Sequence, residues 1–362
     1  MTRRSITTQQ LITRRYKRRD EFGISKLMKI VFPRYYSSNW LEHFYWQQTN
    51  PFGRNIRWVA ECNGKIVGHI ARIPLPIKIG KETLKGSIAA DAATHPNFRR
   101  RGIYKTLSVS SWNDAIRDGI VVSFADASRM LISPARRYGI LDISKIAILV
   151  NPLNPCAIIE KRLGQGLLAK AVSRGIGTTL KLFAITKKKA KIEGLKTSKI
   201  SAFDDRIDTF WDTVSRFYGI IVARNKAYLN WKYFKRPHLS FDVFLAEVGE
   251  AVLGYTVLST IVEDGFKKGL IVDLMTYPTG TDVMQCLISL AMQHFKKTGV
   301  DSIECWMLKN NPCYKSLIRQ GFFSPPTFLS GTDLVARVVS SKVSEAFVRD
   351  SRNWYTTLGD YY

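Results

Sequence analysis

The chain of 362 residues is 45% apolar and 12% aromatic, which excludes a disordered polymer and leaves room for two cores of ordinary size. Its 55 Lys and Arg against 29 Asp and Glu give a formal charge of +26, a field that attracts polyanions (nucleic acid, an anionic membrane, a ligand's phosphates) without selecting among them. Cys62, Cys156, Cys286, Cys305 and Cys313 have no C-x-x-C spacing, which argues against a metal site or disulfide framework and for a reducing, cytoplasmic compartment, and the absence of a run of about 18 apolar residues argues against a transmembrane segment.

Residues 1–15 carry Arg3, Arg4, Arg14 and Arg15 without the apolar core of a secretory signal, and read as a basic arm. A first unit is expected over residues 16–150. Its opening, YKRRDEFGISKLMKIVF, reads as a short strand and then a helix, with Phe22, Leu27, Ile30 and Val31 apolar and Asp20 as cap. SSNWLEHFYWQQTNPFG reads as a second helix ended by Asn50-Pro51 and Gly53, and its aromatic stripe of Trp40, Phe44 and Tyr45 or Trp46 is expected to pack in a core. From Arg57 to Pro96 the pattern is a meander, in which Asn63-Gly64 signals a two-residue hairpin and Gly80-Lys81 a second turn.

The stretch Ser87 to Ile116 carries the chemistry. Ile88 to Thr94 is small, apolar and β-compatible, and it ends at Pro96, which cannot donate to a continuing ladder. Asn97 to Arg101 is an arginine-dense turn. From Gly102 the pattern turns helical, with Leu107, Trp112, Ala115 and Ile116 apolar. Strand, basic turn and helix N-terminus make an anion site, because first-turn N–H groups and the helix dipole favour negative charge. Arg99, Arg100 and Arg101 add formal charge, and Gly102 lets a phosphate approach the backbone. The stretch is not a P-loop, and it has one glycine where a dinucleotide fingerprint needs three.

With Pro96, Phe98, Arg99, Gly102 and Leu107 in place, it resembles the pyrophosphate loop, R/Q-x-x-G-x-G/A, of the GNAT superfamily of acetyl-CoA-dependent N-acyltransferases. Tyr104 departs from the Gly or Ala of that motif. The order strand, helix, helix, three strands, basic turn, helix extends the resemblance to domain length. Gly119 to Phe124 then reads as a buried strand, Ala127 to Tyr138 as a short helix containing Pro134, and Ile143 to Val150 as a closing strand. Many family members carry in that helix an asparagine and a tyrosine that protonates the departing CoA thiolate. Ser128 and Ala135 stand at those places, so neither role carries over, and Tyr138 and Tyr104 are the phenols nearby.

Residues 151–200 hold two Asn-Pro turns, Gly164, Gly166, Gly175, Gly177 and the Lys187–Lys191 run, and read as a basic helical connector. A second unit is expected over residues 201–345. It comprises the helix FDDRIDTFWDTVSRF, then RNKAYLNWKYF as counterpart of EHFYWQQTNPFG in a weak internal duplication, three strands with a turn at Asp264-Gly265, helix Asp282–Lys297, strand Ser302–Leu308 and helix Asn311–Arg319. In place of the basic turn stands Tyr277-Pro278-Thr279-Gly280-Thr281, with no Arg or Gln three residues before a glycine and a proline that removes a donor; no CoA is expected there. Residues 346–362 read as a C-terminal tail.

The resemblance implies an α/β (α+β) fold of two tandem GNAT-like units, each a mixed twisted sheet flanked by helices. A splayed strand pair would take pantetheine as if it were another strand, with the amine on the opposite side. It further implies an acetyl-CoA (acyl-CoA)-dependent N-acyltransferase whose CoA is held by Ala93, Thr94, Arg99, Arg100, Arg101, Gly102, Ile103 and Tyr104, and whose acceptor is a small-molecule or peptide amine. Candidate catalytic groups are Asp91, an acid in an apolar strand where burial would raise its pKa, His95 at the strand end, and Tyr104. A structural Asp91 paired with a nearby arginine is the alternative, and Asp273 at the analogous place of the second unit hints at it. Oligomeric state is not specified by the sequence. Two rival functions stay open: an aminoacyl-tRNA-dependent peptidyl transferase-like protein, suggested by the charge, and a non-catalytic CoA- or RNA-binding protein, suggested by the missing tyrosine.

Overall fold

The computed structural model describes residues 11–33, 39–128, 138–155, 192–325 and 332–361. The first half contains strand Leu11–Arg15 (β1), helices Asp20–Val31 (α1) and Trp40–Gln48 (α2), strands Ile56–Cys62 (β2), Lys65–Ile79 (β3) and Glu82–Thr94 (β4), helix Ile103–Arg117 (α3), and strands Val122–Ser128 (β5) and Leu141–Pro152 (β6). The second half opens with strand Lys196–Ile200 (β7), helix Arg206–Val214 (α4), strand Ile220–Val222 (β8) and helix Lys226–Leu229 (α5), which runs into a π-turn at Asn230–Phe234. Strands Asp242–Val248 (β9), Ala251–Glu263 (β10) and Phe266–Thr276 (β11), helix Thr281–Lys297 (α6), strand Ser302–Met307 (β12), helix Cys313–Arg319 (α7) and strand Thr332–Val338 (β13) follow, and the chain closes with helix Glu345–Arg349 (α8), strand Trp354–Tyr355 (β14) and helix Leu358–Tyr361 (α9).

These elements assemble into one mixed sheet, ordered β1-β2-β3-β4-β5-β13-β6-β12-β11-β10-β9-β7. The order is a palindrome, and so is the sense of pairing. Each arm has three antiparallel pairs and then one parallel pair, β4 with β5 on one side and β11 with β12 on the other. At the centre the halves exchange a strand. β13, from the second half, lies antiparallel to β5, while β6, from the first half, lies antiparallel to β12, and the two exchanged strands pair with each other. Alternating side chains send Val59 to a cluster with α1 and α2, and its neighbour Ala60 to one with Ile103 and Leu107 of α3, so α3 covers the opposite face of the sheet from α1 and α2.

The expected turns form where Asn, Asp and Gly tolerate a left-handed backbone: Asn63 and Gly64 have φ 49 and 73, Asp264 and Gly265 φ 49 and 78, and Gly80 φ 63. Other expectations need correction. The basic arm gives up Leu11–Arg15, which pair with Cys62–Trp58 as edge strand β1, and the connector gives up Lys196–Ile200, which pair with β9 as the opposite edge. Both are short, basic edge strands, and charge is how an edge resists pairing with another chain. Asp20 does not cap α1 through its side chain; it binds Arg14 at 2.6 Å and the Lys17 N–H at 2.7 Å. Of the expected helix after β5, Ala127 and Ser128 belong to that strand and residues 129–137, Ala135 among them, lie outside the described residues. The connector's glycine- and lysine-rich part, residues 156–191, lies outside them too.

The expected tail is core as well. β11 pairs β12 only from Lys268 to Ile271 and then diverges from it up to Thr276. Into the resulting wedge comes the C-terminal segment. Thr357 bridges Met307 of β12, the Tyr355 hydroxyl donates to the Leu274 carbonyl, and the Thr357 hydroxyl donates to Asp273 Oδ1 at 2.9 Å. A Cβ on Gly359 would lie 2.3 Å from the Tyr233 hydroxyl and 3.2 Å from the Val272 carbonyl oxygen, so the segment fills the wedge without slack. Asp360 pairs with Arg224 at 2.8 Å, both side chains 1% exposed.

Removing one partner of a buried ion pair strands the other charge, at a cost of about 3–5 kcal/mol. Asp360→Ala is therefore expected to lower unfolding stability by that amount in urea titration. A loss below about 1 kcal/mol, the range of an exposed pair, would show that the segment is loosely held.

Candidate functional site

In the first half the equivalent wedge is built from the same divergence. β4 pairs β5 only from Gly86↔Val122 to Ile88↔Phe124. From Ala89 to Thr94 its outer edge has no strand partner among the described residues, while its inner edge stays on β3. The N–H and C=O groups of that edge are the hydrogen-bonding surface an extended ligand would use.

At the end of β4 the chain turns into α3. His95 Nδ1 accepts from the Asn97 N–H at 3.3 Å and caps the single 3-10 turn Pro96–Phe98, and Arg99 Nε donates to the Thr94 carbonyl at 3.3 Å. Arg100 (φ 64) and Gly102 (φ 75) are left-handed; a Cβ at Gly102 would meet nothing within 4 Å, so glycine is there for its backbone and not for space. Arg99, Arg100 and Arg101 are exposed, with the Arg101 guanidinium 5.0 Å from the Phe98 ring centre. The first bond of the α3 ladder runs from Thr106 N–H to the Gly102 carbonyl at 3.0 Å, which leaves the Ile103, Tyr104 and Lys105 N–H groups pointing out of the helix end. The Ile103 side chain is buried in the core, so only its backbone can serve a ligand, and Tyr104 packs half-buried beside it. Thr94, His95, Arg99, Arg100, Arg101, Gly102, Ile103 and Tyr104 thus meet in one cationic turn at the wedge mouth.

Helix α3 comes this close because Gly68 of β3 has no side chain: a Cβ there would sit 2.6 Å from Ile103 and 3.1 Å from Leu107. Gly68 pairs Thr94 as Gly254 of β10 pairs Thr276, and Gly254 lies beside Leu287 of α6 in the same way. Both glycines stand inside strands, where the residue pattern carries no signal for a close helix approach.

Asp91 does not join the turn. It sits in a bulge, with Ala90 opposite Ala71 and Ala93 opposite His69, and its φ of 53 is one that a short polar residue tolerates. Its carbonyl accepts from His69 Nδ1 at 3.0 Å, and burial lowers the His69 pKa to about 3, so that ring is neutral. The Asp91 carboxylate faces the α2 side, 3.5 Å from the guanidinium of buried Arg57. Burial pushes its pKa above the ordinary carboxylate range while Arg57 pulls the other way. Ala93 is buried between β4, α1 and α2. On the facing strand Asp126 lies two residues past the last β4 pair; desolvation raises its pKa, and bonds from its own backbone N–H and the Thr332 hydroxyl oppose that rise. An acid after the apolar run GIVVSF was the one signal that could have identified it.

The second half differs at each of these points. Asp273, three residues before Thr276 as Asp91 is before Thr94, accepts from the Tyr233, Tyr255 and Thr357 hydroxyls at 2.9–3.0 Å and is 1% exposed. The loop before α6 closes on itself, with Gly280 N–H bonded to the Tyr277 carbonyl at 2.8 Å and Gly280 at φ −76. No group of His, Cys, Asp and Glu side chains among the described residues could hold a metal ion, and no described helix is long and apolar enough to cross a membrane.

Residues 13–140 match the family model described as acetyltransferase (GNAT) domain. No curated protein matches the chain by sequence. Among solved structures, a GCN5-related N-acetyltransferase from Anabaena variabilis is 11% identical with TM-score 0.63, over 91% of this chain and 73% of that one. An N-myristoyltransferase from Saccharomyces cerevisiae, solved with myristoyl-CoA and inhibitors, is 12% identical with TM-score 0.61, over 95% and 85%. A probable N-acyltransferase from Enterococcus faecalis is 11% identical with TM-score 0.60, over 91% and 73%. At these identities the likeness is one of fold.

Gly68→Val would drive its methyl groups into Ile103 and Leu107. Overpacking of this kind costs about 1–3 kcal/mol, so a lower melting temperature is expected. An unchanged melting temperature would mean that α3 does not rest on Gly68.

Proposed function

The chain carries a GNAT acetyltransferase domain over residues 13–140, and from that premise we propose that it is an acyl-CoA-dependent N-acyltransferase with a single CoA site, at the β4–β5 wedge. The observation that supports this most is the contrast between two wedges of one palindromic sheet: one ends in an open, left-handed arginine turn, the other is filled by the chain's own C-terminal segment. In this reading Arg99, Arg100, Arg101 and the N–H groups of Gly102 to Lys105 bind the pyrophosphate, and the free edge of β4, Ala93 and Thr94 included, holds pantetheine. The acyl group is taken to be acetyl. A longer chain is the second reading, because the yeast neighbour is described with bound myristoyl-CoA. The built anion turn favours CoA over an RNA-dependent transfer, for which the +26 charge alone speaks. We place the protein in the cytoplasm on its cysteine usage.

The acceptor amine approaches from the α2 face, where the Asp91 carboxylate lies. Its lone pair attacks the thioester carbonyl while β4 N–H groups hold the developing oxyanion. Asp91 takes the amine proton, with His95 as the alternative base. The C–S bond then breaks, and the leaving thiolate takes a proton from Tyr104. Because the Asp91 pKa is raised, activity should fall as pH drops through that value and Asp91 becomes protonated.

Calorimetry should give one CoA per chain. Gly102→Ala tests the left-handed backbone alone and Gly102→Asp adds a repelling charge; both should weaken binding, the second more, and Gly280→Asp should leave it unchanged. Two sites per chain, or loss of binding with Gly280→Asp alone, would assign the active half wrongly. Asp91→Asn should keep CoA affinity and lower kcat by roughly 10²–10⁴; an unaltered pH profile would make Asp91 structural.

A further inference from the structure

A second group of ionisable side chains lies along the seam where α2 meets the π-turn of the second half. Trp46 stacks on Trp231 with ring centres 4.5 Å apart and planes within 15°, and its Nε1–H donates to the Trp231 carbonyl at 3.1 Å. The Arg236 guanidinium lies 4.7 Å from the Trp46 ring centre. Beneath this stack runs a continuous hydrogen-bond chain. Arg57 Nη2–H donates to Gln47 Oε1, Gln47 Nε2 stands 2.9 Å from His43 Nε2, and His43 Nδ1 stands 3.1 Å from His238 Nε2, which also accepts from Arg236 Nε at 3.1 Å.

Chemistry fixes its direction. The Gln47 oxygen is committed to Arg57, so the amide donates to His43 Nε2, the proton of that ring sits on Nδ1, and Nδ1–H donates to His238 Nε2. Both rings are then neutral acceptors at Nε2. Charging either one would set its new Nε2–H against the N–H it now accepts, from Gln47 Nε2 on His43 and from Arg236 Nε on His238; Arg236 Nη2, 3.2 Å from His43 Nδ1, is a donor beside a donor already in the neutral state. The groups facing His43 are Arg236, His238, Lys232 and Arg57, and the group facing His238 besides His43 is Arg236. Burial first, and these cations next, hold His43 well below its ordinary pKa and His238 at about 4. With the folded pKa below the free value of 6.5, the stability this chain contributes is present above that pH and fades as pH falls toward 4.

We infer that the second half of the protein positions Asp91 through Arg236, His238, His43, Gln47 and Arg57, so that residues far from the wedge in sequence set the orientation of its acid. This deepens the acyltransferase reading and rests on it. Among the described residues Arg57 is the charged partner of the Asp91 carboxylate, at the long distance of 3.5 Å, and a small rotation of its guanidinium would make or break that contact. The chain is what denies the rotation: its far nitrogen is pinned to Gln47 and its face lies 4.2 Å from the Phe44 ring centre.

The test uses Gln47→Leu and His238→Ala in the full chain. Expected are an unchanged KM for acyl-CoA, a kcat lowered about tenfold, and an acid limb of the pH profile moved to higher pH, because a loosened Arg57 no longer holds the Asp91 pKa down. Carbon NMR titration of the Asp91 carboxyl should move the same way, and His238→Asn, which keeps an acceptor, should restore most of both. Lower melting temperatures with the acid limb and the Asp91 titration unmoved would overturn the inference. If Gln47→Leu does not fold, His238→Ala at its half-buried position decides. Asp91→Asn separates the two claims: wild-type turnover there removes Asp91 as base, while the Asp91 carboxyl titration in Gln47→Leu and His238→Ala, which keep that acid, still reports whether the chain reaches it.

Discussion

The exchange of β13 and β6 at the centre of the sheet is the constraint on which everything else hangs. Neither half can complete its sheet from its own residues, since β5 finds its outer partner in the second half and β12 finds its own in the first. Loop closure over that separation is costly before the contacts form, so the halves are expected to fold as one unit. The exchange also fixes where the two wedges lie, because each parallel pair is anchored on the strand that borders the exchanged one. Away from the sheet, the Trp46–Trp231 stack joins the duplicated helices along the same internal symmetry.

Symmetry of backbone did not bring symmetry of chemistry. At one wedge mouth two left-handed residues, Arg100 and Gly102, open the turn and direct amides outward; at the other, Gly280 bonds back to Tyr277 and the loop satisfies itself. Asp91 carries a single long ion pair in a bulge, whereas Asp273 has three hydroxyl donors and is buried. A group with its bonding capacity filled is held in place, and one with capacity left over is available to a ligand. The same difference accompanies the contrast between a wedge filled by a chain segment of its own and one whose β4 edge has no strand partner among the described residues.

What could be read from the residues was local. The Pro96–Leu107 motif, the Asn63-Gly64 and Asp264-Gly265 turns and the duplicated aromatic helices all have signals confined to a few neighbours, and the two GNAT-like strand orders followed from them. The edge strands Leu11–Arg15 and Lys196–Ile200 looked like solvated basic segments because protective charge on an edge has the composition of a linker. The closing segment looked like a tail because its burial depends on Arg224, Tyr233 and Asp273, all more than eighty residues away. Strand exchange is invisible to periodicity, since β13 and β6 have the same alternation whichever sheet they complete. The close approach at Gly68 and the His43–His238 contact are likewise products of tertiary packing.

The central claim is that one wedge binds CoA and its counterpart cannot. Hydrogen exchange measured with and without CoA tests it most directly, because unpaired edge amides are protected only when a ligand covers them. The account predicts slowed exchange at Ala89–Thr94 and at Arg100–Lys105, with no change at Val272–Thr281. Protection at the second wedge, or none at the first, would contradict it.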